Sequence, residues 1–163
     1  KVQGSRFKVQ GSRFKVQGFL IPKLPLMSTI SKFEDLEIWQ LARHQANSLF
    51  QIYSSGSFSK DYELRNQISR SSGSVMDNIS EGFERGGNKE FINFLLIAKG
   101  SNGEVRSQLY RAADRKHIDD KSFSELINKC QQLSRQITAL IKYLKTSDQK
   151  GFRYHNTDGP EQP

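Results

Sequence analysis

The stretch from Gln67 to Ser101, QISRSSGSVMDNISEGFERGGNKEFINFLLIAKGS, has the apolar spacing of two helices joined by a charged, glycine-containing connection. Apolar residues recur every three or four positions before the connection, and the same spacing resumes after it. Between the two halves lie Gly82 and the pair Gly86 and Gly87, and glycine is typical of the residue that follows a helix C-terminus. The stretch therefore predicts the second and third helices of the chain, with a turn between them.

Helix 1 is predicted to precede this stretch, from about Phe33 to Tyr53. Ser31 and Glu34 have the spacing of a capping box, in which each side chain bonds a free backbone amide of the first turn. Five residues at three- and four-residue intervals are expected on the core face: Leu36, Trp39, Ala46, Leu49 and Tyr53. A loop of serine and glycine residues is expected to end the helix.

Helix 2 is predicted to begin between Ser59 and Asp61 and to be ended by Gly82 and the pair Gly86 and Gly87. Asn88 is expected to be the N-cap of helix 3. The run from Ser69 to Ser74 has low helix propensity, and its glycine costs about 1 kcal/mol relative to alanine, so reduced local stability is expected there. The expected core residues of helix 2 are Leu64, Ile68, Val75, Ile79 and Phe83. Those of helix 3 are Phe91, Phe94, Leu95, Ala98, Val105, Leu109 and Ala112.

Helix 4 has the most regular pattern, in which apolar residues alternate steps of three and four over three heptads. These residues are Phe123, Leu126, Cys130, Leu133, Ile137, Leu140 and Leu144. Such heptads predict left-handed, coiled-coil-like packing. Because short connections place sequence neighbours antiparallel, we predict an all-α, up-down-up-down four-helix bundle over residues 27–145.

The N-terminal segment is repetitive. KVQGSRF occurs at residues 1–7 and again at 8–14, and KVQG returns at 15–18. We interpret residues 1–26 as a tail that is not part of the native fold, with Met27 as the biological start. The alternative is a targeting peptide, although the segment lacks an apolar core and a small-residue cleavage site.

Most of the net charge of +8 lies in this N-terminal tail. Residues 1–26 contain six basic and no acidic side chains, residues 27–145 contain 17 and 14, and residues 146–163 contain two and three. The C-terminal segment, 146–163, is polar and is predicted to be disordered. Since the domain itself carries only +3, the high charge of the chain is a weak indication of nucleic-acid binding.

Composition and motifs exclude several classes of protein. No apolar run reaches the 18 residues that span a bilayer. The single cysteine, Cys130, cannot form an intramolecular disulfide and is expected to be a small buried hydrophobe, which agrees with a cytoplasmic protein. The histidines lack metal-ligand spacing, no Glu-x-x-His pair occurs, and no phosphate-binding loop is present. We therefore expect no metal and no cofactor.

Four short motifs in the deciding stretch are distinctive: Asn78 to Gly82 (NISEG), Arg85 to Gly87 (RGG), Glu90-Phe91, and Ala98 to Ser101 (AKGS). They resemble the small bacterial four helix bundle protein family, whose members include proteins encoded in intervening sequences of large-subunit ribosomal RNA genes. The resemblance implies a bundle that assembles into a ring, a pentamer, with no generally assigned enzymatic activity. A related branch, the accessory protein of diversity-generating retroelements, uses a basic ring surface to bind nucleic acid and a reverse transcriptase.

The chain departs from this family pattern at Asn102 and Gly103, where apolar or helix-favouring residues usually follow the Gly-Ser pair. A polar residue and a glycine in the middle of helix 3 are expected to weaken it there.

Our primary hypothesis is a non-catalytic, oligomeric scaffold that binds RNA or a ribonucleoprotein partner through sequence-independent phosphate contacts. Six basic residues are assigned to those contacts: Arg65, Arg70, Arg85, Lys89, Lys99 and Arg106. Asn78, Glu81 and Gly82 are interpreted as a structural network that fixes the elbow between helices 2 and 3. The main alternative is a purely structural homo-oligomer without nucleic-acid affinity, which the domain charge of +3 favours.

A second alternative is a ribonuclease. Arg111 and His117 match the loose Arg-x(4–6)-His signature seen in some helical-bundle ribonucleases, in which histidine does acid-base work and arginine steadies phosphate. The competing interpretation is that basic residues near a helix C-terminus complement the helix dipole.

Overall fold

The computed structural model of the chain describes residues 30–146. Outside that range it describes only the backbone of a short antiparallel pairing between β1 (Lys15–Val16) and β2 (Phe19–Leu20), in which Lys15 faces Leu20. Thr146, the first residue of the predicted C-terminal tail, is described and ends the fourth helix, so the predicted disorder is wrong at that residue. The rest of the two predicted tails, at residues 1–26 and 147–163, otherwise lies outside the described residues.

Residues 30–146 are helical, with short connections. The four long helices are α1 (Glu37–Tyr53), α2 (Tyr62–Glu84), α3 (Asn88–Asp114) and α4 (Asp120–Thr146). Single 3-10 turns at Phe33–Asp35 and Phe58–Lys60 precede α1 and α2. The predicted all-α class and number of helices are thus confirmed. None of the described helices combines the length and the apolar character needed to cross a membrane.

Each long helix packs against two others. α2 packs most extensively on α3, α3 on α4, and α1 on both α2 and α4. The apolar interior forms two clusters. One joins the first half of α1, the second half of α2, the first half of α3 and the second half of α4. The other contains Leu49, Phe58, Leu64, Ile68, Val105, Leu109, Ala112, Leu126, Ile127 and Cys130.

The predicted start of helix 1 is wrong by four residues. Leu36 has an extended backbone (φ −71°, ψ 122°) and a buried side chain, so the core contact of this leucine separates the 3-10 turn from α1. Ser31 therefore does not cap α1, whose N-cap is Leu36. The predicted end at Tyr53 is confirmed.

The predicted core face of helix 1 was also displaced by one position. Its buried residues are Ile38, Ala42, Gln45 and Leu49. Of the five predicted core residues, Leu36 and Leu49 are buried, whereas Trp39, Ala46 and Tyr53 are half-buried. The displacement arises because the polar side chain of Gln45 occupies a core position.

Helix 2 follows the prediction closely. Asp61 is its N-cap, with a side-chain oxygen accepting a 3.2 Å hydrogen bond from the Leu64 amide. All five predicted core residues are buried, and the helix continues through the serine-rich run from Ser69 to Ser74. The predicted end is confirmed at the glycine pair, since α2 extends to Glu84 and the chain turns at Gly86, whose φ of 78° favours glycine. Gly82 itself lies within the helix, so its predicted part in ending α2 is wrong.

Helix 3 begins with Asn88, but its N-cap is Gly87, so the predicted capping role of Asn88 is wrong. The helix runs without interruption past Asn102 and Gly103. Six of the seven predicted core residues are buried, and Phe94 is half-buried. In helix 4, six of the seven are buried, including Cys130, and Phe123 is half-buried.

Candidate nucleic-acid interface and polar clusters

The six predicted phosphate contacts lie on α2, at its C-cap and on α3, and do not form one patch. Arg65 lies in the first turn of α2 and Arg85 is its C-cap, twenty residues later, which corresponds to about 30 Å along a helix. Lys89 lies in the first turn of α3, and Lys99 lies three turns further along that helix. Arg70, Arg85, Lys89 and Lys99 are exposed, whereas Arg65 and Arg106 are half-buried.

Arg85 is already engaged at the end of α2. Its guanidinium donates a 2.6 Å hydrogen bond to Glu81 and lies 4.8 Å from the centre of the Phe94 ring. The hydrogen bond and the charge of Glu81 raise the pKa of Arg85 above its usual value. A phosphate that binds Arg85 must therefore compete with Glu81.

Arg65 and Arg70 are held by main-chain oxygens and not by carboxylates. Arg65 Nη1 donates to the Ser59 carbonyl at 3.1 Å, and its guanidinium lies over the ring of Tyr62. Arg70 Nε donates to the Asn66 carbonyl at 3.4 Å. Neither arginine forms an ion pair within residues 30–146, so both retain charge for a phosphate.

Arg106 lies closer to the interior. Its Nε is buried and has no hydrogen-bond partner within the described part of the chain. Its positive charge acts on the buried Cys130 thiol, where it opposes the rise in pKa that burial causes.

The three predicted elbow residues act separately in the structure. Asn78 Nδ2 donates to the Ser74 carbonyl at 2.7 Å, a contact within α2, and Glu81 pairs with Arg85. Gly82 is buried where α2 meets α3. A Cβ at this position would lie 2.5 Å from Phe94 Cβ, so only glycine permits this close approach of the two helices. Of the three, only Gly82 has a contact described here that reaches α3.

A buried polar cluster, unsuspected from the sequence, joins three helices in the centre of the bundle. Asn102 is fully buried, and its Nδ2 donates to the Cys130 carbonyl at 2.7 Å and to Ser134 Oγ at 2.9 Å. Gln45 Nε2 donates to Asn102 Oδ1 at 3.0 Å and to Cys130 Sγ at 2.8 Å. Each atom of the Asn102 carboxamide is thus satisfied. Burial raises the pKa of the Cys130 thiol to about 11, so the thiol stays protonated at neutral pH.

The interface between α2 and α3 is polar along its middle. Ser74 and Ser101 share a 2.9 Å hydrogen bond, and Ser71 Oγ donates to Glu104 at 2.9 Å. Further along, Arg111 Nη1 donates to Gln67 Oε1 at 2.6 Å. Small side chains therefore let the two helices approach where helix propensity is low.

His117 fastens the connection between α3 and α4 to the start of α2. One ring nitrogen lies 3.0 Å from Asp61 Oδ2 and the other 2.9 Å from Ser57 Oγ, while the ring stacks on Phe58 at 5.1 Å. Arg115 also donates to Asp61, at 2.5 Å. This bond, with those from the Leu64 amide and from His117, lowers the pKa of Asp61 to about 2.

The spatial arrangement, with His117 between a serine and an aspartate, is that of a hydrolytic triad, but the ring nitrogens have exchanged partners. In such triads the serine bonds Nε2 and the carboxylate bonds Nδ1. Here Ser57 lies on Nδ1 and Asp61 on Nε2, and the same carboxylate caps a helix and binds Arg115. Arg111, the partner of His117 in the ribonuclease prediction, is bonded to Gln67 instead.

Comparison with known protein families identifies the family to which this bundle belongs. The family described as 23S rRNA-intervening sequence protein matches residues 34–139, which contain nearly all of the described helices. The chain belongs to this family. The resemblance predicted from the NISEG, RGG and AKGS motifs is therefore confirmed.

A solved structure shows the same fold in a distant protein. It is described as a protein of unknown function from the S23 ribosomal protein family of Bacteroides thetaiotaomicron VPI-5482. It shares 20% sequence identity with this intervening-sequence family protein, at a TM-score of 0.59, and the match covers 64% of this chain and 98% of that chain. At this identity the likeness shows the fold alone. No match was found among curated proteins.

Within residues 30–146, no group of three or more histidine, cysteine, aspartate or glutamate side chains is placed to hold an ion.

Proposed function

We propose that this intervening-sequence family protein is a non-catalytic, oligomeric helical scaffold of the cytoplasm that binds RNA or a ribonucleoprotein partner. The observation that supports this most directly is the exposure of basic side chains that form no ion pair within residues 30–146, Arg70 foremost. The family is described as 23S rRNA-intervening sequence protein. Such cations attract phosphate irrespective of base sequence, and the attraction weakens as salt rises.

The scaffold is proposed to be an up-down-up-down bundle. The polar contacts between α2 and α3 support this, because Gln67, Ser71 and Ser74 meet Arg111, Glu104 and Ser101 in reverse order. Short connections of a few residues support the same arrangement for the other sequence neighbours.

Self-association is proposed to use the outer face of α3. Leu96 and Ile97 are each 52% exposed, and a contact between chains would remove their apolar surface from water. A pentameric ring is the assembly we propose.

The absence of catalysis is proposed because His117 is committed to structural contacts. Both of its ring nitrogens have partners, and its ring is stacked on Phe58. A general base needs a nitrogen that reaches the substrate.

A charge-reversal experiment tests the RNA-binding proposal. The full chain and the double variant Arg70→Glu, Arg85→Glu are titrated into a fluorescent mixed RNA pool at low and high salt. The matched control is Lys142→Glu, Lys145→Glu, which makes the same charge change on exposed positions of α4. All three proteins keep the basic N-terminal segment.

We expect salt-sensitive binding by the parent and the control, and a loss of at least tenfold in affinity for the Arg70, Arg85 variant. Equal affinity of all three would contradict the assignment of these arginines. Failure of the parent to bind would favour the alternative of a purely structural homo-oligomer, which the domain charge of +3 supports.

A further inference from the structure

The exposed ring of Tyr62 and the half-buried side chain of Arg65 form an aromatic–cation pair at the start of α2. Tyr62 is 65% exposed, the largest value among the big apolar and aromatic residues that are exposed within residues 30–146. The Arg65 guanidinium carbon lies 4.8 Å from the ring centre, and Nη1 of the same group is tied to the Ser59 carbonyl. The guanidinium thus covers one face of the ring, and the high exposure leaves the other face open to solvent.

The described part of the chain contains two other arginine–aromatic pairs, which differ in ways that matter. Trp39, beneath Arg43, is half-buried and packs edge-on against Phe33. Phe94, beneath Arg85, is also half-buried, and the charge of that arginine is paired with Glu81. Only the Tyr62 pair combines a mostly exposed ring with an arginine free of carboxylate partners in residues 30–146.

The charge around Tyr62 suits a polyanion. Asp61 and Glu63 flank Tyr62 in sequence, but Asp61 is paired with Arg115 and lies against His117. Glu63 accepts a 3.3 Å hydrogen bond from Gln67 and is the remaining negative charge of this turn. Three nearby cations form no ion pair within the described residues and outnumber this negative charge: Lys60, Arg65 and Arg70.

We propose that Tyr62 is a stacking platform for an unpaired base of single-stranded RNA, with Arg65 and Arg70 contacting the phosphates beside it. This inference rests on the proposed function and adds its substrate class. A base within a duplex has both faces covered by its neighbours, whereas an unpaired base stacks freely on an aromatic side chain. Arg70 follows Tyr62 by eight residues, about 12 Å along α2, so the bound strand runs along this helix.

The test measures the affinity of the full chain for a short labelled oligoadenylate and for an RNA duplex of the same length. Tyr62→Ala removes the ring, and Tyr62→Phe keeps the ring but loses the hydroxyl. Tyr110→Ala is the matched control, because Tyr110 is also more than half exposed. Tyr110 lies on α3 and its ring contacts that of Phe123 on α4. Circular dichroism verifies that each variant retains its helices.

Tyr62→Ala is expected to weaken oligoadenylate binding by about tenfold, because stacking on an aromatic side chain contributes that much per base. Tyr62→Phe and Tyr110→Ala are expected to bind like the parent, and duplex binding is expected to be the same for all four proteins. Parental binding of oligoadenylate by Tyr62→Ala, or an equal loss with the duplex, would overturn the stacking platform and leave the proposed RNA binding intact. A parent that binds neither RNA would overturn both.

Discussion

The side-chain nitrogen of Asn102 on α3 donates a 2.7 Å hydrogen bond to the main-chain oxygen of Cys130 on α4. The Asn102 carboxamide lies in an apolar interior, where an amide without hydrogen bonds would cost several kcal/mol. Both its oxygen and its nitrogen have partners, so this cost is avoided. The contact fixes the register of α3 against α4, since a shift by one residue would leave the carboxamide unpaired.

Replacing Asn102 by alanine is expected to lower the free energy of unfolding by about 2 to 4 kcal/mol, because Gln45 Nε2 and Ser134 Oγ lose a buried partner. Urea titration followed by circular dichroism measures the change. Asn93→Ala, at an exposed position of the same helix, is the control and is expected to change stability by less than about 0.5 kcal/mol. Equal stability of the two variants would contradict the structural role of Asn102.

Gly82 and Gly73 offer a matched pair on α2. At Gly82 an added Cβ would lie 2.5 Å from Phe94 Cβ and 3.0 Å from Phe91 Cδ2, whereas at Gly73 nothing lies within 4 Å. Gly82→Ala is therefore expected to destabilise the protein by about 1 to 3 kcal/mol through overpacking. Gly73→Ala is expected to stabilise it by about 0.5 to 1 kcal/mol through helix propensity. Thermal unfolding of both variants measures this, and a shift in the same direction would refute the close approach at Gly82.

Asp61 is expected to make stability dependent on pH in the acid range. Its pKa is lowered from 3.8 to about 2 in the folded protein by Arg115, the Leu64 amide and His117, so the unfolded chain takes up the proton first. The stabilisation is complete above about pH 4 and is lost as the pH falls towards 2. Its size is about 1 to 2 kcal/mol, because Arg115 is partly exposed and solvent screens the pair.

Asp61→Asn should thus unfold more easily than the parent at pH 7, and the difference should shrink as the pH is lowered from 4 to 2. Asp77→Asn removes the same charge from an exposed position of α2 and serves as the control. Urea midpoints at several pH values measure both. A difference that stays constant down to pH 2 would contradict the assigned role of the Asp61 carboxylate.

The local pattern of the chain was sufficient for helices 2 and 4. Their apolar residues recur at helical intervals, and the buried serines Ser71 and Ser72 of helix 2 do not displace its apolar face. All of the predicted core residues except the half-buried Phe123 are therefore buried. In helix 1 part of the predicted core face was wrong because Gln45 occupies a core position, and a polar residue there displaces the apparent apolar face.

The Asn102 cluster was not predicted either, because Asn102 is also a polar residue at a core position. In isolation, Asn102 beside Gly103 indicates a weakened helix, and its partners Gln45 and Cys130 are 57 and 28 residues away in sequence. The His117 cluster was equally hidden, since Ser57 and Asp61 meet the ring across 60 and 56 residues. Of the residues in these two clusters, only Cys130 was predicted correctly, because its heptad position indicated a small buried side chain.

The mass of the full chain in solution tests the proposed RNA-binding scaffold most directly. Light scattering is measured at low and high salt, with and without a mixed RNA pool, for the parent and for the double variant Leu96→Glu, Ile97→Glu. The parent is predicted to have the mass of five 18.7 kDa chains, about 94 kDa, and to gain salt-sensitive mass with RNA. The variant is predicted to dissociate while keeping its helices. A parent that is monomeric and indifferent to RNA would contradict both the assembly and the binding.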